Sequence, residues 1–349
     1  MGREDLEATA RALVAPGKGI LAADESHATI EKRFQAVGVE NTEEHRRLYR
    51  QMFFTTPGID KFISGVILFD ETVRQKADDG TVFPDLLSGK GIIPGIKVDR
   101  GAKPLAGAPG EKITEGLDGL RERLAEYERL GARFAKWRAV ITIGKGIPSA
   151  YCLDANAHAL ARYAAVCQEA GLVPIVEPEV LMDGDHSIER CFETTEATLH
   201  RVFGALRDQR VVLEHLLLKP SMVLAGAQYQ KQASVAEVAS ATVRCLRRAV
   251  PAAVPGIVFL SGGQDEQRAT AHLNAMNAVG AVHPWALSFS YARALQAPAL
   301  KAWQGEARNL AAGQQAFLHR ARCNSAAREG RYTAELEQAG GGFAGEGRS

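Results

Sequence analysis

The residues of this chain that could do chemistry are charged side chains that interrupt apolar runs. The sharpest case is His215-Leu216-Leu217-Leu218-Lys219-Pro220. A short apolar run stopped by a proline reads as a buried strand, and lysine is almost never fully buried without a partner. Desolvation favours the neutral amine, which is a nucleophile towards carbonyl carbon. Taken alone, the hexapeptide fits better with a lysine that reaches water or anchors a carboxylate from a strand end. Other apolar runs end in the same way. Asp24 closes one over residues 19–26, Lys97 and Asp99 sit in the next but one, and Lys136 with Arg138 interrupts a fourth. Glu177 and Glu179 close a fifth, Ser261-Gly262-Gly263 a seventh, and Ser290 an eighth, with Arg293 just beyond it.

The charged pairs are spaced two apart, which on a strand puts both members on one face. Their types sort by chemistry. Lys219 is the candidate nucleophile, and Lys136 placed nearby would lower its pKa by like-charge repulsion. Glu177 or Glu179 could move protons as a general acid/base. Asp24 either balances the cations or helps with a proton. Lys97, Arg138 and Arg293 suit anionic oxygens, the arginines phosphate especially. Ser261-Gly262-Gly263 opens a helix directly after a strand, so its backbone N–H groups could hold a phosphate. By itself that tripeptide reads as an ordinary strand–helix turn. Together the groups describe a carbonyl substrate with phosphate at one or both ends, activated as an imine. The nine histidines include no HExxH motif and no tight His/Cys cluster, and His186 reads as a loop residue, so no metal site is expected.

The elements that must carry these groups follow from periodicity. Helical patterns cover residues 5–15, 28–37, 42–55, 116–130, 155–170, 188–208, 235–249 and 264–279, with another from about 294. Strand patterns fall at 19–26, 63–69, 91–99, 134–140, 172–179, within 211–223, at 256–263 and at 285–290. Eight strands separated by helical stretches indicate a parallel sheet, and the expected fold is α/β, a closed (β/α)₈ TIM barrel with an N-terminal helical extension. No G-x-G-x-x-G follows the first strand, which argues against an open dinucleotide-binding sheet. Residues 1–332 are read as one barrel domain, and 333–349, ending in a Gly-rich run from Gly340, as a flexible tail. In such a barrel chemistry sits at the C-terminal strand ends, where all the groups above fall.

Composition narrows the class. With 46% hydrophobic and 24% charged residues the chain reads as soluble and globular, and a net charge of +1 leaves no footprint for nucleic acid or an anionic membrane. No apolar run is long enough to span a bilayer. The N-terminus lacks the apolar core of a signal peptide, and Leu6 breaks the myristoylation pattern. Five cysteines with no CxxC pair suit reduced thiols and a cytoplasmic location.

Seven segments in order, ILAADES (20–26), GIKVDRG (95–101), FAKWR (134–138), PIVEPEVLMDGDH (174–186), LLLKPSMV (216–223), FLSGGQ (259–264) and FSYARALQ (289–296), resemble class I fructose-1,6-bisphosphate aldolases. The resemblance covers most of residues 5–332. It implies a TIM barrel and reversible cleavage of fructose 1,6-bisphosphate to dihydroxyacetone phosphate and glyceraldehyde 3-phosphate, through a lysine Schiff base, with no metal and no cofactor. It implies Lys219 as the Schiff-base residue, Glu177 as the general acid/base with Glu179 supporting the lysine, and Asp24, Lys136 and Arg138 as active-site groups. It implies Ser261, Gly262, Gly263, Ser290 and Arg293 at the ketone-side phosphate, and Arg33 and Lys97 towards the other phosphate. It also implies a homotetramer. The alternative within the same chemistry is a preference for another ketose, such as fructose 1-phosphate or sedoheptulose 1,7-bisphosphate. The loop Ser26-His27-Ala28-Thr29 departs from the family pattern, with Thr29 keeping a hydroxyl and His27 expected to alter the aldehyde-side phosphate pocket. Ala292 stands where glycine is usual, and no tyrosine follows Tyr332, so proton exchange assisted by a tail tyrosine, as the resemblance implies for the animal enzymes, is not expected here.

Overall fold

The computed structural model describes residues 3–278 and 282–339. Eight strands close into a parallel barrel: β1 (Gly19–Ala23), β2 (Ile63–Leu68), β3 (Ile93–Lys97), β4 (Phe134–Ile141), β5 (Val173–Val180), β6 (Leu217–Leu218), β7 (Gly256–Phe259) and β8 (Ala286–Tyr291). Closure is made by β1, which pairs with both β2 and β8. The expected α/β barrel is therefore the observed fold. Helices cover the outside, and their starts follow local chemistry. Ser149, Ser187 and Ser234 each accept a backbone N–H at a helix start, and Ser234 with Glu237 completes a capping box.

One end of the barrel is plugged. The helix Arg3–Leu13 turns Leu6, Ala10 and Leu13 to one face, and with Val14 they pack against Ile20, Phe134, Val173, Leu217 and Val258. Close approach there requires glycine in the strands, since a Cβ at Gly256 would lie 2.6 Å from Val14 Cγ1. Access is left at the opposite, C-terminal strand ends. Inside the barrel, a Cβ at Gly95 would sit 2.3 Å from Cζ of the fully buried Phe134 ring. Gly95→Ala is expected to cost about 1–3 kcal/mol by overpacking, read as a lowered midpoint in thermal unfolding.

The structure departs from the sequence expectations in several places, among them the short helices Asp70–Val73 and Phe83–Ser88. The strand placed within 211–223 is only Leu217–Leu218, because Leu213–His215 form a 3₁₀ turn and Pro220 cannot donate to a ladder. Lys219 still joins the sheet edge, donating its N–H to Val176 O at 2.8 Å. An antiparallel hairpin, Ala102–Pro104 with Lys112–Thr114, is inserted between β3 and β4. The helix opened at Arg293 stops at Trp303, where Gln304 takes a left-handed conformation, and a second helix follows at Leu310–Arg328. Within the span read as a tail, Ala334–Gln338 is a helix. Gly340–Ser349, and Val279 at the end of the helix expected over 264–279, lie outside the described residues.

Candidate active site

The C-terminal mouth opens into a cavity of about 860 Å³, within the usual size of ligand pockets. Register brings the charged strand ends together there. Lys97 pairs with Lys136 across β3 and β4, and Arg138 with Glu177 and Val140 with Glu179 across β4 and β5. The i, i+2 pairs thus converge on the barrel mouth, as their spacing implies. The cavity is lined by Asp24, Ser26, Thr29, Arg33, Lys97, Lys136, Arg138, Glu177, Glu179, Lys219, Ser261, Gly262, Ser290 and Arg293. Of the residues given a part in the site from the sequence, Gly263 and His27 are absent from the lining. The Gly263 Cα instead backs onto Met182, whose Sδ would lie 2.5 Å from a Cβ there.

At the centre sits a buried chain of alternating charge. Lys136 Nζ lies 2.7 Å from Asp24 Oδ2 and 3.4 Å from Glu177 Oε2, and Glu177 Oε1 lies 3.4 Å from Lys219 Nζ. Both lysines and Glu177 are buried, with Lys219 only 3% exposed. Burial alone would raise the Asp24 carboxyl, but Lys136 and Lys219 outweigh it and bring it down to about 2. Burial also opposes the charge on Lys136, yet Asp24 and Glu177 more than offset it, so its pKa lies above the ordinary lysine range. Lys136 is therefore held as a cation and Asp24 as an anion. Glu177 bridges that fixed cation and Lys219.

Around this centre most of the remaining groups are already partnered. Glu179 takes the Arg138 Nε, and Lys97 Nζ reaches Asp99 Oδ1 at 2.7 Å and Asp99 O at 3.0 Å. Lys219 thus has its carboxylate partner in Glu177, while the partner of Glu179 is Arg138. Ser26 and Thr29 share a hydrogen bond of 3.1 Å between their hydroxyls. Arg293 donates to Gln264 O at 3.0 Å and Gly262 O at 3.4 Å, pinning the turn after β7 beside Ser261. The buried Ser290 hydroxyl has no protein partner and lines the same cavity, as a donor kept for a ligand would. His27 turns away from the phosphate-directed groups to Glu71, at 2.6 Å, which also takes Arg46. Ala292 does line the cavity.

The chain belongs to the class I fructose-bisphosphate aldolase family. The model of that family, fructose-bisphosphate aldolase class-I, matches residues 5–343. A probable class 1 fructose-bisphosphate aldolase of Xanthomonas campestris is 62% identical over 95% of this chain and 99% of its own. The Drosophila melanogaster fructose-bisphosphate aldolase is 55% identical over 97% of this chain and 94% of its own. A solved fructose-bisphosphate aldolase from Plasmodium falciparum superposes with a TM-score of 0.93 at 52% identity, covering 95% of this chain and 96% of the other. The activity is therefore that of a fructose-bisphosphate aldolase, and the family works through a lysine Schiff base without a metal.

Several groups at the site of this class I enzyme carried no sequence signal of their own. Glu25 lies in the ILAADES segment and Gln296 in FSYARALQ, but neither was assigned a role, and Tyr49 and Arg50 come from a span that read only as a helical pattern. Phe69, Arg74, Arg123 and Tyr127 form further cavity wall. The expectation of no tight His/Cys cluster fails at one point away from the cavity. His319 Nε2 and Cys323 Sγ are 3.5 Å apart on one face of the helix Leu310–Arg328, with the Glu337 carboxylate beside them. A four-residue helical spacing and a later helix bring these together. Glu337 there is already bonded by Arg320 and by Tyr332, so its charge is matched without a metal ion. No helix among the described residues is long and apolar enough to cross a membrane.

Proposed function

We propose that Lys219 is the residue that forms the Schiff base, with Glu177 moving its protons. The observation that carries this assignment is the carboxylate of Glu177 lying 3.4 Å from both Lys219 and Lys136 inside the cavity. The neutral amine of Lys219 adds to the C2 carbonyl of fructose 1,6-bisphosphate. Glu177 gives a proton to the departing hydroxyl, so water leaves and a protonated imine remains. That cation is the electron sink for the next step. A carboxylate takes the C4 hydroxyl proton, the C3–C4 bond breaks, its electron pair forms the enamine, and glyceraldehyde 3-phosphate departs. The carboxylate returns that proton to C3, and water hydrolyses the protonated imine to dihydroxyacetone phosphate and the neutral Lys219 amine, the surplus proton going back to Glu177.

Lys136 and Asp24 hold the field around these steps. The Lys136 cation lies 3.4 Å from Glu177, within reach of charge that develops during proton transfer, and Asp24 keeps Lys136 in place. Ser261, Gly262, Ser290 and Arg293 bind the phosphate on the ketone side. Arg33, Lys97 and Arg138, with Ser26 and Thr29, face the other end. Holding both ends orients the reacting carbons over Lys219, a contribution of geometry rather than of chemistry. Glu179 acts through Arg138, whose guanidinium it fixes.

The substrate is fructose 1,6-bisphosphate in preference to fructose 1-phosphate, because cationic groups line both ends of the cavity. Two measurements test the chemistry together. Cleavage of the bisphosphate is expected to persist in excess EDTA, and kcat/KM for it to exceed that for fructose 1-phosphate by about tenfold or more, the worth of one charged contact. Equal values for the two, or a faster turnover of sedoheptulose 1,7-bisphosphate, would move the preference to another ketose. The assembly is a homotetramer located in the cytoplasm. Five free, buried cysteines suit a reducing compartment.

A further inference from the structure

Beside the cavity lies a buried network of which the steps above use only Arg33. Glu25 is 7% exposed and divides its carboxylate between two arginines. Oε1 takes Arg33 Nη1, and Oε2 takes Arg50 Nη2 at 3.1 Å. Arg50 is 2% exposed and comes from the helix Glu43–Thr55, outside the barrel. It crosses the end of β1, with Nε 3.4 Å from Ala23 O and Nη2 3.3 Å from Glu25 O. Arg33 Nη1 also donates to Gln296 Oε1 at 2.9 Å. Gln296 in turn donates to Ala22 O at 2.6 Å and accepts from Tyr49 Oη at 3.0 Å.

The charges of this trio do not cancel. One carboxylate serves two guanidinium groups, so the set carries one unmatched positive charge. Of the two arginines only Arg33 lines the cavity. A buried arginine that reaches no ligand is costly to keep unless its charge is used. Here its charge is spent on Glu25, which would otherwise give both oxygens to Arg33 in a bidentate pair.

We propose that Arg50 is a positioning residue: by engaging one oxygen of Glu25 it leaves the charge of Arg33 available to a substrate phosphate. This rests on the binding role assigned to Arg33 above. Without Arg50, Glu25 and Arg33 close on each other and the cavity loses an anion contact.

The test is a set of steady-state kinetics with fructose 1,6-bisphosphate. Arg50→Met is expected to raise KM about tenfold with kcat within about twofold, the pattern of lost uniform binding. Arg50→Lys keeps the cation and is expected to stay within about threefold of wild type in KM, since a lysine makes one of the arginine contacts. Arg33→Met is expected to raise KM similarly, and adding Arg50→Met to it should change KM no further, because Arg50 acts through Arg33. A KM that rises as much in the Arg33→Met background as in wild type would mean a merely structural role and overturn the proposal, leaving the role of Arg33 intact. An unchanged KM in Arg33→Met would overturn both. If Arg50→Met alone does not fold, the double variant Glu25→Gln/Arg50→Met removes both charges together. Its KM is expected near wild type, and a KM raised about tenfold there would equally overturn the proposal.

Discussion

Lys219→Arg is expected to lower kcat by a factor on the order of 10⁴ or more, since a nucleophile cannot be replaced by orientation and binding alone. The substitution keeps a cation 3–4 Å from Glu177 in approximate terms, so the buried charge balance survives and the protein should fold. What is lost is the amine, because a guanidinium does not deprotonate near neutral pH. The assignment is checked directly by borohydride reduction in the presence of dihydroxyacetone phosphate. Wild type should gain the mass of the reduced adduct on the peptide containing Lys219, and the variant should gain none. An adduct found on Lys136 or Lys97 instead would remove Lys219 from the centre of the mechanism. Retained trapping in Lys219→Arg would do the same.

The second large effect concerns Lys136. Lys136→Met leaves Asp24 and Glu177, both buried, without the cation between them. Breaking a buried pair in this way costs about 3–5 kcal/mol, and the remaining carboxylates would respond by taking up protons. In the wild type the Asp24 pKa is depressed to about 2. Its contribution to stability is therefore present above the unfolded value near 3.8 and lost as pH falls through about 2. Without Lys136 the Asp24 pKa rises, so the acid limb of the stability curve should move to higher pH. Lys136 itself has a raised pKa, so its contribution is complete below the unfolded lysine value and is lost only at strongly alkaline pH. The measurement is thermal unfolding against pH for both proteins, beside kcat at neutral pH, which is expected to fall by about two orders of magnitude as Glu177 loses its electrostatic partner. An unchanged acid limb would show that Lys136 does not govern these carboxylates.

Within the barrel, most of the local elements were legible from their own residues. The apolar runs placed the strands, helical periodicity placed helices such as the one over 235–249, and the i, i+2 spacing put Lys136 with Arg138 and Glu177 with Glu179 on shared faces. The seven ordered segments from ILAADES to FSYARALQ carried the family. Less legible was the strand bearing Lys219, because a 3₁₀ turn and Pro220 shorten it to two residues whose register is set by β5 and β7. Also unread was the second helix after Trp303, where one left-handed residue, Gln304, ends the first.

Sequence alone therefore determined which chemistry was on offer: an amine, carboxylates and phosphate-directed cations, each at the end of an apolar strand. Residue type and period are local properties and survive without the fold. Only the tertiary structure decided who partners whom. Glu177 rather than Glu179 faces Lys219, Glu179 serves Arg138, and Gly263 packs on Met182 instead of lining the cavity. Those choices depend on the register between neighbouring strands and on distances of a few ångströms, to which charge interactions in a buried site are steeply sensitive. Arg50 makes the same point from outside the barrel, since nothing in its own helix announces that its guanidinium ends against Glu25.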